Sequence, residues 1–227
     1  ERDNLEPIVR AVLATDDRLD ILVVDDNSPD GTGDIADALA LESDRVFVLH
    51  RERKEGLGKA YVAGFKWALA RHYTSVFEMD ADFSHAPADL PRFLEQLENG
   101  ADLVIGSRRV KGGRTVNWGP GRQFISAGGS VYARTILGVD VADLTAGFKC
   151  FKRSTLEALP LDEVRSSGYG FQVELTFRAL RKGLRVVEIP VVFEDRRVGQ
   201  SKMSRKIFLE AARMVWQLRW DAVRGRL

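Results

Sequence analysis

At 227 residues with 44% hydrophobic content, the chain can bury one substantial core, which suits a single α/β domain with a modest extension. The single cysteine, Cys150, excludes an internal disulfide framework and a cysteine zinc cluster, and it reads as a packing residue in a reducing compartment. No run approaches the roughly 18 apolar residues of a spanning helix, and no secretory segment opens the chain, so the expectation is a cytoplasmic protein that does not cross a membrane. The net charge of +1 conceals an asymmetry: residues 196–227 hold nine Lys/Arg against two Asp/Glu, net +7, and the remainder carries net −6. A basic end of this kind points to an anionic partner: phosphate, nucleic acid or an anionic bilayer.

Along the chain, short β-branched runs alternate with longer helical patterns, the signature of a mostly parallel sheet flanked by helices. Strands are expected at residues 20–26 (DILVVDD), 45–50 (RVFVLH), 75–80 (SVFEMD) and 102–107 (DLVIGS), with helices at 31–41, 58–71 and 88–98 between them. Beyond a Gly/Arg-rich loop at 111–121, helical patterns cover 122–137 and about 171–182. The run 184–194 (LRVVEIPVVFE) is a strand broken by Pro190, which belongs at an edge or a bend because proline cannot donate to a ladder. Residues 204–223 form an amphipathic helix with Trp216 and Trp220 four apart and Lys/Arg on the remaining face. That pattern suits either an interfacial membrane helix or one packed on the domain before it, residues 1–203.

Ligands of open α/β sheets bind beyond the carboxyl ends of the strands, so Asp25, Asp26, Asp80, Asp82 and Arg108 are expected on one rim. The pair Asp80-Ala81-Asp82 carries the chemistry. Two carboxylates turned toward one site repel unless a divalent cation lies beside them, and hard oxygens of this kind select Mg²⁺ or Mn²⁺. A metal there would neutralise a departing diphosphate; on its own, though, Asp-x-Asp also suits an exposed turn. In DDNSPDGT, residues 25–32, the turn formers account for Ser28 to Thr32, whereas the adjacent acids Asp25 and Asp26 need donors, and one of them is expected to meet a nucleoside. ILVVDDN also opens phospho-accepting receiver domains, but the second carboxylate at Asp82 and the length of chain beyond it count against that alternative. Glu174 serves either a ligand or its neighbour Arg178 at i,i+4 spacing. His85 reads as structural, and Asp143 suits either role.

In order, the stretches DDNSPDGT, EGLGKAY (55–61), MDADFSHAP (79–87), GSR (106–108), DLTAGFK (143–149), GYGFQVEL (168–175) and DRRVGQSKMS (195–204) resemble the polyprenol-phosphate (dolichol-phosphate) mannose synthases, inverting family-2 glycosyltransferases of GT-A fold. The resemblance spans nearly the whole chain. It implies mannose transfer from GDP-mannose to a polyprenyl monophosphate with Mg²⁺ or Mn²⁺, at the cytoplasmic face of a membrane. A separate anchoring protein is an implied partner, and nucleic acid is not. Glu1, Val24, Asp26 and Ala81 fall on donor-binding positions; Asp80, Asp82 and Ser84 on metal positions; and Arg108, Arg196 and Lys202 on positions that grip phosphates. Arg122 and Ser126 match positions near the acceptor phosphate, and Gln172 and Glu174, on the helix after Gly170, are read as substrate-binding, Glu174 by orienting a cation or a sugar hydroxyl. The family begins with a strand and a Pro-x-Tyr-Asn-Glu turn, so a first strand is expected before residue 1. Alternatives kept open are a UDP-glucose donor, a hydroxyl acceptor and a non-enzymatic membrane-docking module.

Overall fold

The structure, a computed structural model, describes residues 2–164, 166, 168–194 and 205–227, with the side chains of 169 and 205–211 left out. Helix α1 (Arg2–Leu13) leads into β1 (Ile21–Asp25), α2 (Thr32–Glu42), β2 (Val46–His50), α3 (Leu57–Leu69) and β3 (Ser75–Glu78). Then come α4 (Leu90–Glu98), β4 (Leu103–Ser107), β5 (Arg114–Val116), α5 (Pro120–Leu137), β6 (Lys149–Lys152) and α6 (Arg153–Ala158). The chain closes with α7 (Tyr169–Arg181), β7 (Val186–Pro190), β8 (Val192–Glu194) and α8 (Arg205–Val223). The α/β class expected from the alternating pattern is therefore present.

Parallel pairs join β1 to β2, β4 to β7 and β5 to β8. The short strand β6 lies antiparallel between β3 and β4, so the order is β3-β6-β4-β7. Since β3 and β4 both oppose β6, they run in the same direction, and their carboxyl ends open on the same rim. That places Asp80, Asp82 and Arg108 on one rim, with the start of β6 between them. Pro190 ends β7, the edge strand next to β4, and the run expected as one strand bends there into β7 and β8.

Four features were not foreseen. Helix α1 buries Leu5, Ile8 and Val9 at i, i+3 and i+4, and α6 is a six-residue helix. Strand β5 occupies the middle of the expected loop at 111–121. Strand β6 (KCFK) is only four residues long and begins and ends in lysine, so it lacks an apolar run.

The central strands are buried on both faces, and successive residues feed opposite layers. From β4, Leu103 and Ile105 join a core made with α3, α5, α7 and α8, while Val104 enters a second core with α4, Phe148 and Ile189. Cys150 is fully buried in the second core and is a packing residue, as its isolation suggested. A third cluster joins α1 and α2 to β1 and β2. Inward residues of α8, namely Val215, Leu218 and Ala222, belong to the first core, and Tyr132 of α5 donates to the Ala212 carbonyl at 3.2 Å. The helix thus packs on the domain with one face, and Trp216 (59% exposed) and Trp220 (57%) stand on the other. Among the described residues no helix is long and apolar enough to cross a membrane.

Gly106, two residues before Arg108, has no room for a side chain: a Cβ there would meet Phe93 at 2.9 Å, Val191 at 3.0 Å and Phe148 at 3.2 Å. Gly106→Ala should cost about 1–3 kcal/mol of stability through overpacking, read as a lower urea midpoint with an unchanged denaturant slope.

Candidate active site

The loop after β3 turns sharply. Phe83 adopts a positive φ of 61°, a conformation that costs a non-glycine residue free energy. The turn folds Ser84 back on Asp82, whose Oδ1 accepts both the Ser84 backbone N–H (3.0 Å) and its hydroxyl. Asp82 is 3% exposed. Asp80 is held from two sides: its N–H donates to His85 Nδ1 at 3.1 Å, and its Oδ1 accepts the Tyr61 hydroxyl at 3.3 Å. Burial and the nearby acids push the Tyr61 phenol up, so it remains a neutral donor. His85 is buried and stacked on Phe148 at 4.8 Å. Burial lowers its pKa against the pull of Asp80 and Asp82, and a neutral ring can accept the Asp80 N–H. The structural reading of His85 agrees with this environment.

At the end of β4, Arg108 is gripped by Asp143. Nε reaches Oδ2 and Nη2 reaches Oδ1, both at 2.7 Å; the Arg108 backbone N–H adds a third bond, and Nη2 also donates to Thr145. Burial would raise the Asp143 carboxyl, but the hydrogen bonds and charge of Arg108 outweigh it and hold it below the usual carboxylate range. The Asp143 and Ala142 N–H groups in turn donate to Glu188 of β7 at 2.9 and 2.7 Å. Asp143 therefore acts through Arg108. The guanidinium lies 5.3 Å from the Phe193 ring, and His85 packs edge-on against that same ring. The carboxylate loop and Arg108 thus meet around one aromatic group.

Other expected residues divide between this rim and its supports. Val24 lies on β1, with its side chain 3.4 Å from where a Cβ on Gly64 would stand. Asp26 is ion-paired with Arg51, and the buried Asp25 accepts the Ser28 N–H at 3.2 Å. The donors that the two acids require come, at least in part, from the protein. Ala81 lies between the two loop carboxylates. Gln172 sits beneath them, where Lys149 Nζ donates to its carbonyl (2.8 Å) and its Oε1 (2.6 Å). Glu174 accepts from Ser166 and Arg178, the i,i+4 partner that its spacing allowed. Arg122 stacks on Trp118 at 4.0 Å, and Ser126 accepts from Arg109 at 2.8 Å. Glu1, Arg196 and Lys202 lie outside the described residues.

Sequence reasoning overlooked the layer below the loop. Glu78 and Lys149 face each other across the β3–β6 ladder, both fully buried. Burial pushes the Glu78 carboxyl up to about 7, against the charge of Lys149 and the nearby Gln172 amide. It pushes the Lys149 ammonium down to about 8, opposed by Glu78 and Asp143. A lysine flanked by Phe148 and Cys150 was the available signal.

The oxygens of this loop fit a hard divalent cation. Asp80 and Asp82 line a strongly acidic turn, no Lys or Arg pairs with Asp80 among the described residues, and Gly147 leaves open the space in front of it. A Cβ on Gly147 would stand 4.0 Å from Asp80 Oδ2 and 3.8 Å from Gln172 Nε2. Two carboxylates, the Ser84 hydroxyl and water or substrate oxygens make an oxygen-only donor set of the kind Mg²⁺ and Mn²⁺ accept.

The fold, with β6 inserted antiparallel between the co-directed strands β3 and β4, is that of the GT-A glycosyltransferases. Solved structures of glucosyl-3-phosphoglycerate synthase from Mycobacterium tuberculosis share the fold. One, in complex with Mn²⁺, UDP and glucosyl-3-phosphoglycerate, superposes with a TM-score of 0.67 at 20% identity, covering 100% of this chain and 76% of that one. The chain belongs to glycosyl transferase family 2, whose model matches residues 1–159. Among its relatives, the undecaprenyl-phosphate mannosyltransferase of Micrococcus luteus is 54% identical over 212 residues, 92% of this chain and 87% of the relative. The polyprenol monophosphomannose synthase of Mycolicibacterium smegmatis is 50% identical over 228 residues, 100% of this chain and 85% of the relative.

Because the Asp143 carboxyl titrates lower folded than unfolded, its stabilisation is complete above about pH 4. It is lost as pH falls through the folded value. Asp143→Asn should lower stability at pH 7 by about 3–5 kcal/mol, as expected for a broken buried pair. The variant should also show a shallower acid-side loss in urea midpoints measured from pH 5 to 2; an unchanged acid slope would count against this role.

Proposed function

We propose that this chain transfers mannose from GDP-mannose to a polyprenyl monophosphate with inversion, giving a β-linked polyprenyl-phosphate mannose. The observation that supports this most is the pairing of an acidic loop with Arg108 on one rim, and a second group of polar donors, Arg122 and Ser126 at the start of α5 with Arg109 bonded to Ser126. Such a site suits two anionic substrates. The identity of 50–54% to proteins named for mannose transfer to prenyl phosphates points the same way.

Val24 and Asp26 are the nucleoside side, and Gln172 borders the sugar. Asp80 and Asp82, with Ala81 between them and Ser84 as a hydroxyl ligand or replaced by water, are the residues that would hold Mg²⁺ or Mn²⁺. That ion supplies charge neutralisation of the leaving diphosphate. Arg108, kept rigid by Asp143, presents its guanidinium edge to the same phosphates. Arg122 and Ser126 orient the acceptor phosphate. One of its oxygens forms the new bond to the anomeric carbon while the bond to the donor phosphate breaks, and that electron pair leaves with GDP. A phosphate monoester with a second pKa near 6 is largely dianionic at neutral pH, so its oxygen attacks without losing a proton.

A hydroxyl acceptor would need a carboxylate base within reach. Among the described residues the candidates are engaged elsewhere: Asp143 by Arg108, Glu174 by Arg178, and Asp26 by Arg51. Glu78, although pushed up to about 7, has no exposed surface.

The outer faces of α5 and α8 suit a peripheral position on an anionic membrane surface. Phe124 (80% exposed), Val131, Trp216, Trp220 and Val223 stand out from these packed helices, with Arg213, Arg219 and Arg224 exposed beside them. Trp216→Ala with Trp220→Ala should weaken sedimentation with anionic vesicles several-fold and leave the unfolding midpoint unchanged, since neither ring is in the core.

The direct test is incubation with radiolabelled GDP-mannose, or UDP-glucose in parallel, with polyprenyl phosphate and Mg²⁺. Lipid-linked mannose from GDP-mannose alone is expected, with transfer lost on chelation and reduced at least a hundredfold in Asp82→Asn. Transfer from UDP-glucose only, or an undiminished Asp82→Asn, would contradict the reading.

A further inference from the structure

Next to Arg108, and differently placed electrostatically, is Arg109. Arg108 has Asp143 as its counter-ion, whereas Arg109 forms no ion pair among the described residues although it is partly buried. Its Nη2 donates to Ser126 Oγ at 2.8 Å, and its Nε is buried with no acceptor among the described residues. Burial, with Arg108 adding to it, pushes the Arg109 pKa down against the pull of Asp143, so the charged form is short of anionic partners. A half-buried guanidinium without a carboxylate is costly unless an anion joins it.

The surroundings supply further donors and some room. Trp118 Nε1 is a second buried N–H without an acceptor among the described residues, and the face of the same ring carries Arg122 at 4.0 Å. Helix α5 starts here and has no side-chain cap, so its first N–H groups add to the positive potential. At Gly119 and Gly121 a Cβ would meet nothing within 4 Å, which leaves open space around the helix start. On the other side the chain is locked, because a Cβ on Gly113 would lie 2.3 Å from the Ser107 carbonyl oxygen and 2.9 Å from the Arg108 carbonyl carbon. Gly113 thus lets the chain pass close to the Arg108-Arg109 backbone, and the two guanidiniums serve different neighbours, Asp143 and Ser126.

We infer that Arg109 is a binding residue for the acceptor phosphate, its guanidinium joining Arg122 and Ser126 to compensate the second negative charge of a phosphate monoester dianion. This rests on the reading of Arg122 and Ser126 as the acceptor side. It adds a residue that neither the motifs nor the resemblance singled out. A phospholipid headgroup of the bilayer offers the same chemistry, but a prenyl monophosphate is a dianion and calls for two cations.

The test is calorimetric titration of wild type, Arg109→Gln and Arg109→Lys with a short-chain, water-soluble prenyl monophosphate in the absence of donor. KM for each substrate and the unfolding midpoint are measured alongside. Arg109→Gln should bind prenyl phosphate at least tenfold more weakly and raise its KM equally, with KM for GDP-mannose within twofold and the midpoint unchanged. Arg109→Lys should recover part of the affinity. Unchanged affinity for prenyl phosphate, or a parallel rise in both KM values, would overturn the assignment. Vesicles of anionic phospholipid lacking prenyl phosphate should bind wild type and Arg109→Gln alike; an equal loss on vesicles would assign Arg109 to bilayer headgroups and also overturn it. If wild type binds prenyl phosphate through Arg109 yet transfers no mannose, the proposed reaction fails while this site stands.

Discussion

The buried ion pair between Arg108 and Asp143 is the constraint around which the rim is built. Arg108 follows β4, Asp143 precedes β6, and Glu188 on β7 holds the Asp143 N–H, so three neighbouring strands converge on one carboxylate. Taking two charges out of water costs several kcal/mol each, and a bare pair would do little for stability. Here the carboxylate receives two guanidinium bonds, a backbone bond from Arg108 and a hydroxyl bond from Thr145, which offset much of that cost. What remains is a guanidinium whose direction is set before any substrate arrives. An electrostatic site of this kind gains by having its dipoles and charges already in place.

Polar groups recur in a layer directly under the carboxylate loop, while the apolar cores lie to either side of the sheet. Glu78 and Lys149 fill strand positions that an ordinary sheet would give to Val or Leu, and Gln172 meets them from α7. Lys149 spends two donors on Gln172, which fixes the orientation of that amide. Among the described residues Glu78 Oε1 and Oε2 and Gln172 Nε2 make no hydrogen bond of good geometry, a costly arrangement for buried polar groups. Phe83 at positive φ adds to it. Stability is supplied by the aromatic packing of Phe65, Phe93, Phe148, Phe151 and Phe171 around this layer.

Local pattern revealed the strands that carry an apolar run, β1, β2, β3 and β4, and with them the placement of Asp80, Asp82 and Arg108 on one rim. It failed where an element lacks such a run or where its neighbour is distant in sequence. Strand β6 inserts between β3 and β4 out of chain order, and its four residues, two of them lysines, show no periodicity. The partner of Arg108 lies 35 residues further on, and nothing in the spacing of Asp143 separates a ligand from a support. Arg109 and Trp118 were passed over for a similar reason: a cation in an Arg-rich loop reads as solvated surface until burial and the lack of a carboxylate are seen. For Glu174 the i,i+4 spacing to Arg178 already stated the pairing that the structure displays.

The central claim is that the Asp80–Asp82 loop and the Asp143-held Arg108 face a single cleft shaped for a metal-bound diphosphate. A crystal structure with Mn²⁺ and GDP, phased to locate manganese by its anomalous signal, examines that claim without relying on turnover. The account predicts one manganese ion bound by the Asp80 and Asp82 carboxylates and by diphosphate oxygens, with Arg108 bonded to the same diphosphate and still paired with Asp143. Manganese bound away from those two aspartates, or a diphosphate out of reach of Arg108, would contradict it.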